Sequence, residues 1–435
     1  MIQLLRSAGT DGRVDASELS DFRYIVSNAS RYNIPNYVSV LASNVVNANP
    51  ANSLFRGQTA GNLAAGASST LLNNLVEKWF LGVDLPTLTS SSFSYQVASG
   101  NLFNGTPSRA NMKQGQLGDC YFIAALGSIA DSNPTAVSNM FVDNGDNTFT
   151  VRFFASGGVA DYVTVNRQLP TFSNGVLAYS GMGSRVNDAS NTLWIALAEK
   201  AYAQWNATGK SGRDGTNTYA SIEGGWMGAV NAQVLGYNST NHNLDSAGQT
   251  ALIAALNTNK AVTIGTRTGA SAGGLVGSHA YTVSGYNAST QTFTLVNPWG
   301  TSHPTPLTWA QLQANCSMFV VANPTTTTPI VATLTVRSDV DPSNFSFVVT
   351  VSTNGNASLS TQESTSSSQF DADEQSPVNF SSTQESESRE LIALILDDIV
   401  QQRNEGSTSV ESIDLALDSL MDSILNLEDL SRVSA

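Results

Sequence analysis

Apolar positions along this chain change rhythm several times. Up to about residue 75 they recur every three to four residues in short runs, "ASELSDFRYIVSNASRY", "NYVSVLASNVVN" and "TLLNNLVEKWFLG". Gly, Asn and Pro break these runs, which predicts a region of short helices over residues 1–75. Residues 76–325 mix both periods. "NTLWIALAEKAYAQW" sets Leu193, Trp194, Leu197, Ala201 and Trp205 on one helical face, with Asn191 as its expected N-cap. "HAYTVSGYN" and "QTFTLVNPWG" read as neighbouring strands, the second with Phe293 and Leu295 alternating ahead of a turn. A β-hairpin extension is expected over residues 326–352, centred on "TLTVRSDVDPSNFSFVVTVS". Residues 353–387 are rich in Ser, Thr and Gln and hold too few core formers to offset ordering, which predicts a disordered linker. From 388 to 435 the helical period returns in an acidic amphipathic tail, with Ile413, Leu415, Leu417, Leu420, Ile424 and Leu427 on its apolar positions. Its simplest reading is a solvated helix pair packed on itself; docking to a partner is the alternative.

Composition narrows the class of function. The 435 residues carry a formal charge of −14 with only 12% charged positions, so Ser, Thr, Asn and Gly do most of the solubilising. No basic stripe exists to neutralise phosphates, which argues against nucleic acid and against anionic membrane surfaces. No window approaches the roughly 18 apolar residues of a membrane span. Two cysteines, Cys120 and Cys316, cannot make a disulfide framework. The low charge slightly favours an exported, extracellular bacterial protein over a cytoplasmic one, and the compartment stays open.

The candidate chemistry centres on "QGQLGDCYFIAALGSIA". The Gly118–Asp119 turn puts Cys120 in the first turn of a helix too apolar for a surface. The positive end of a helix dipole and a nearby imidazolium both depress a thiol's pKa, and the thiolate is the nucleophile. The chain has three histidines, His242, His279 and His303. His279 stands in "GGLVGSHAYTV", a Gly-rich loop entering a strand at the expected edge of a sheet. Asn297 ends the next strand, so antiparallel pairing sets the two side by side. An Asn carbonyl accepting from one ring nitrogen fixes the tautomer and leaves the other facing the thiol. His242 and His303 read as loop residues, and Cys316 as core.

The order Cys, His, Asn, together with "QGQLGDCYFIAA", "LWIALAEKAYAQWNATG", "GLVGSHAYTV" and "NPWG", resembles the calpain-type cysteine peptidases over roughly residues 95–325. That resemblance implies an α+β fold with a papain-like core of two subdomains. A helical subdomain, 76–238, would carry Cys120, and a β-rich one, 239–325, would carry His279 and Asn297. It further implies a cysteine endopeptidase acting through a thioester. Cys120 would be nucleophile, His279 general base and acid, and Asn297 its orienter. Gln114 would donate to the oxyanion, and Trp299 would shield the His279–Asn297 bond. Substrates would be proteins or peptides, including this chain's own linker. A non-catalytic scaffold that keeps a peptidase-like domain for binding is the rival reading.

Departures from the family pattern bear on calcium. Asn111 stands where the family has an acid, and "TSHPTPLTW" follows "NPWG" without acidic residues. "SAGTDGRVDASEL" is similar to the second half of an EF-hand loop, with Asp11 and Glu18 as weak candidate ligands, but Ser7 and Gly9 fill positions that normally supply carboxylates. No cofactor is expected to be required.

Overall fold

The computed structural model describes residues 1–323 apart from Gly9, and the strand backbones 330–336, 345–351 and 357–363. The chain divides into two compact units, Met1–Pro324 and Thr325–Ala435, which are described separately.

After a short helix at Ile2–Ser7, the first unit forms helices α1 (Ala16–Ser27), α2 (Asn36–Val46) and α3 (Ser69–Leu81). A capping box starts α1: Asp15 Oδ1 accepts the Glu18 N–H, and Glu18 accepts the Asp15 N–H. Helix α4 (Cys120–Ser132) follows, with every residue from Tyr121 to Ala130 buried. A hairpin ribbon comes next, β1 (Phe141–Asp143), β2 (Thr148–Phe154) and β3 (Ala160–Asn166), antiparallel in that order. Alternation in β2 and β3 buries Phe149, Val151, Phe153, Val163 and Val165. Helix α5 (Trp194–Asn206) packs against β3, and α6 (Met227–Leu235) against β2 and α4.

The rest of the unit is built around a six-stranded sheet. Its members are β4 (Ser239–His242), β5 (Val262–Thr266), β6 (Ala280–Asn287), β7 (Thr292–Val296), β8 (Leu307–Thr308) and β9 (Cys316–Ala322). Their spatial order is β4-β9-β5-β6-β7-β8. Strands β6 and β7 pair antiparallel from Asn287↔Thr292 to Thr282↔Val296, as the alternation predicts. Helices α7 (Ser246–Asn257) and α8 (Trp309–Asn315) complete it.

Two hydrophobic cores result. One joins the N-terminal helices to α4, α5, α6 and the ribbon; the other holds Val262, Ile264, Tyr281, Phe293, Leu295, Leu312 and Phe319 within the sheet region. Helix α4 bridges them, because the Thr282 hydroxyl of β6 donates to the Ala124 carbonyl at 2.7 Å. The chain is thus a mixed helix-and-sheet protein, consistent with a calpain protease core.

Several expectations need correction. Asn191 does not cap α5, whose N-cap is Leu193. The Asn191 amide donates instead to the carbonyls of Ser99 and Arg185, which pins two loops. The one-faced helix is buried all round, packed against the ribbon and α4 within the same core. His242 is no loop residue: it ends β4 and stacks on Phe319 at 4.8 Å. His279 stands at the entry to β6, a strand with β5 and β7 on either side.

In the second unit β10 (Ile330–Val336), β11 (Phe345–Val351) and β12 (Ala357–Glu363) pair antiparallel in sequence order. The first two of these strands lie within residues 326–352. The third falls inside the stretch read from composition as linker. The remainder of that stretch and the helical tail lie outside the described residues.

Candidate active site

Cys120 is the first residue of α4, with Asp119 at the N-cap position. The Phe122 N–H turns back to the Asp119 carbonyl at 2.8 Å, whereas those of Cys120 and Tyr121 have no carbonyl ahead of them and act on the thiol as donors. The preceding strand of chain reaches the sheet region by close backbone contact: the Gln114 N–H donates to the Pro298 carbonyl at 2.9 Å. Two glycines let this segment pass close to its neighbours. A Cβ on Gly115 would lie 2.3 Å from the Ala178 carbonyl oxygen, and one on Gly300 2.2 Å from that of Met112. Gln114 is buried; its Nε2 donates one hydrogen to the Leu117 carbonyl at 2.8 Å, and its Oε1 has no partner. An amide carries two hydrogens, so the second stays available to a ligand.

His279 enters β6 from the Gly-rich loop, directly after Ser278 at φ 52°. Its N–H donates to Thr266 Oγ1 at 2.9 Å, and the Thr266 N–H returns a bond to the His279 carbonyl at 2.8 Å. The Thr266 hydroxyl donates in turn to the Val276 carbonyl at 2.7 Å, closing the loop beneath the imidazole. Nε2 of the ring lies 3.0 Å from Asn297 Oδ1. An amide oxygen only accepts, so Nε2 carries the proton and Nδ1 keeps its lone pair. Nδ1 makes no hydrogen bond within the described residues. The next N–H along the chain, that of Ala280, favours the Cys120 thiolate. The structure therefore brings Cys120, His279 and Asn297 to the junction of α4 and β6, with Gln114 tied to the Asn297 turn.

Asn297 is fully buried and held on every side. The Trp299 N–H donates to its Oδ1 at 3.1 Å, and its Nδ2 donates to the Ser302 carbonyl at 3.3 Å. Its own N–H donates to Nδ1 of His303 at 3.1 Å. Trp299 sits over the imidazole with ring centres 5.0 Å apart, its outer side 38% exposed.

Electrostatics differ from the simple helix-dipole expectation. Burial pushes the Cys120 thiol up; the Ala280 N–H opposes this, and the neighbouring Asp119 carboxylate adds to it. Burial pushes His279 down, and its bond to Asn297 partly restores it. Directly behind Cys120, Asp119 and Glu199 of α5 form a fully buried acid pair. Glu199 accepts from the Ser180 N–H and hydroxyl, whereas neither Asp119 oxygen has a donor when both acids are ionised. A proton on one of the two acids would give the pair a hydrogen bond and remove the repulsion between adjacent carboxylates. Desolvation first, then mutual repulsion, raises Asp119, and desolvation raises Glu199 to about 7. A single Glu amid the apolar residues of "LWIALAEKAYAQW" was the signal for this pair. His303 and Thr266 carried no comparable signal.

The calcium candidates hold other duties. Glu18 and Asp15 are engaged in the capping box, and Asp11 Oδ1 accepts from the Arg13 N–H. Among the described residues no group of three or more His, Cys, Asp or Glu converges as a metal site. Asn111 Oδ1 accepts from the Ser108 N–H and from the Trp194 indole, so it stitches α5 to the segment leading to Gln114. Cys316 is buried in β9, with its thiol pushed up to about 12 by desolvation. No helix among the described residues is long and apolar enough to cross a membrane.

Comparison with known proteins bears on the same segments. The profile of the calpain family cysteine protease matches residues 94–311. Calpain clp-4 of Caenorhabditis elegans is 29% identical over 228 residues, 47% of this chain and 29% of that protein. Calpain-13 of Rattus norvegicus is 27% identical over 214 residues, 44% of this chain and 29% of that protein. The calpain-type cysteine protease DEK1 of Zea mays is 28% identical over 127 residues, 28% of this chain and 5% of that protein. The chain thus spans less than a third of the length of these relatives. The profile covers just over half of the chain and includes Gln114, Cys120, His279, Asn297 and Trp299. On that match, the chain belongs to the calpain family of cysteine proteases.

Proposed function

We propose that this protein is a calpain-like cysteine endopeptidase that cleaves exposed segments of other proteins in a papain-like cleft. The cleft lies between the α4 side and the six-stranded sheet. Cys120 attacks the scissile carbonyl while His279 Nδ1 takes the thiol proton. The tetrahedral intermediate collapses to a thioester as His279 protonates the leaving amine. Water, deprotonated by the same nitrogen, then releases the acid. Asn297 holds the tautomer and ring plane that keep Nδ1 basic toward sulfur. The free Gln114 amide hydrogen and the Cys120 N–H stabilise the oxyanion, where losing one preorganised donor typically costs about 2.7–4 kcal/mol. Trp299 keeps water from the His279–Asn297 bond.

The supporting observation is the 3.0 Å bond between His279 and Asn297, which leaves Nδ1 without a partner among the described residues, at the entry to the strand that packs against α4. Burial disfavours the separated charges of thiolate and imidazolium one at a time. Proton transfer between the two groups creates both charges together, so each compensates the other. The reading requires no metal step: the acidic N-terminal loop spends its carboxylates on its own backbone.

An epoxide-type cysteine-protease probe tests this. Labelling at Cys120 but not Cys316, with peptide hydrolysis lost in Cys120→Ala, is the expected result. A chain that binds peptides but neither reacts with the probe nor hydrolyses them would be a scaffold instead.

A further inference from the structure

Asn297 lies one residue beyond the end of the β6–β7 ladder, whose last pair is Thr282↔Val296. Its N–H points into the fully buried environment of the residue, where an unpaired donor costs about 1–3 kcal/mol. No backbone carbonyl meets it. The acceptor is Nδ1 of His303, at 3.1 Å, reached because Ser302 turns the chain back at φ 54°. The Ser302 carbonyl, on the same turn, holds the Asn297 amide at 3.3 Å. Residues 302 and 303 thus grip Asn297 at its backbone and its side chain, and those grips set where Oδ1 stands against His279.

We propose that His303 is a positioning residue of this peptidase, whose neutral imidazole locks Asn297 and, through it, the ring of His279. The inference rests on the triad reading above. A neutral imidazole offers a lone pair at Nδ1 only when its proton sits on Nε2, so the lock needs that tautomer. Nothing else on the turn replaces it: the Gly300 N–H donates to the Asn297 carbonyl and the Trp299 N–H to Oδ1, and neither accepts. Among the described residues no carboxylate forms an ion pair with His303. The imidazole is exposed on its outer side, so its removal leaves no cavity in either core.

Three variants of the full chain test this: His303→Asn, His303→Gln and His303→Phe. An Asn oxygen stands about where Nδ1 stands relative to the backbone; a Gln oxygen stands one methylene too far. The expected result is kcat within about twofold of wild type for His303→Asn and about tenfold lower for His303→Gln and His303→Phe, with KM nearly unchanged. Rescue by Asn alone, at similar melting temperatures, is a pattern that a merely structural role does not produce. Equal kcat in all three variants and wild type, or a loss confined to KM, overturns the proposal. Equal impairment of His303→Asn and His303→Gln, both folded, overturns it too. A wild-type chain silent toward substrate and epoxide probe alike removes the triad reading, and this one with it.

Discussion

The thiol and the imidazole are held in place by opposite means. Cys120 stands at the head of α4, ten of whose residues are buried among aliphatic and aromatic neighbours such as Phe122 stacked on Tyr202 at 4.5 Å. Many weak contacts fix that helix, and no single one decides where the sulfur lies. His279 and Asn297 stand on turns at strand ends. A few directional bonds hold them, to Thr266, Ser302, His303 and each other. Distributed packing makes the first side costly to unfold and hard to misplace. Sparse hydrogen bonding makes the second side precise only while each bond stays made. Stability and activity should therefore part company between the two regions.

The strongest test of that division is Phe122→Ala. Removing a fully buried ring from α4 should lower the unfolding free energy by about 3–5 kcal/mol, read by denaturant titration. Turnover per folded molecule should change little. A steep fall in kcat at full folding would mean that the packed side also sets geometry finely.

A buried acid pair is the exception within the packed side, and pH exposes it. Asp119 and Glu199 both titrate above their ordinary range when folded, Glu199 near 7. A raised carboxyl contributes its stability fully below the unfolded range and loses it as pH rises through the folded value. Between pH 5 and 8 the melting temperature should therefore fall, by an amount equivalent to about 2–3 kcal/mol. Glu199→Gln should flatten that slope. The Ser180 hydroxyl can reverse to accept from the new amide, so the bonds survive. An unchanged slope in Glu199→Gln would mean that the pair does not share a proton.

On the other side, Thr266→Val keeps the side-chain shape but removes the oxygen that accepts the His279 N–H. A drop of about tenfold in kcat is expected, with a stability loss of only about 1–3 kcal/mol for the unpaired groups. If stability collapses while kcat per folded molecule holds, the sheet side is a packed region like the other.

The smallest expected effect is that of calcium. Asp11 and Glu18 are engaged by their own backbone, so hydrolysis in a strong chelator is expected to stay within about twofold of that with calcium added. Silence in chelator with full recovery on adding calcium would place an ion ligand set among residues not recognised here.

Much of the site was legible in the chain order. "GDCYFIAALGSIA" reads as a buried helix with the thiol in its first turn, and β6 and β7 read as a hairpin that sets His279 beside Asn297. Both inferences use local rules, helical period and antiparallel pairing, which need no knowledge of distant contacts. The same rules failed for Asn191, because its competing partners, the carbonyls of Ser99 and Arg185, come from other loops. They failed for His242, whose stacking partner lies on β9.

By itself, then, the sequence determined the periodicities, the Cys, His and Asn order and the helix that presents the thiol, because each depends on residues near in the chain. Only the tertiary structure decided the roles of His303, Thr266 and the Asp119–Glu199 pair. Their significance comes from which donors are left buried without partners once strands and helices pack. An orphaned N–H at the end of a ladder, or a carboxyl pressed against another, exists only after two distant segments meet in the absence of water.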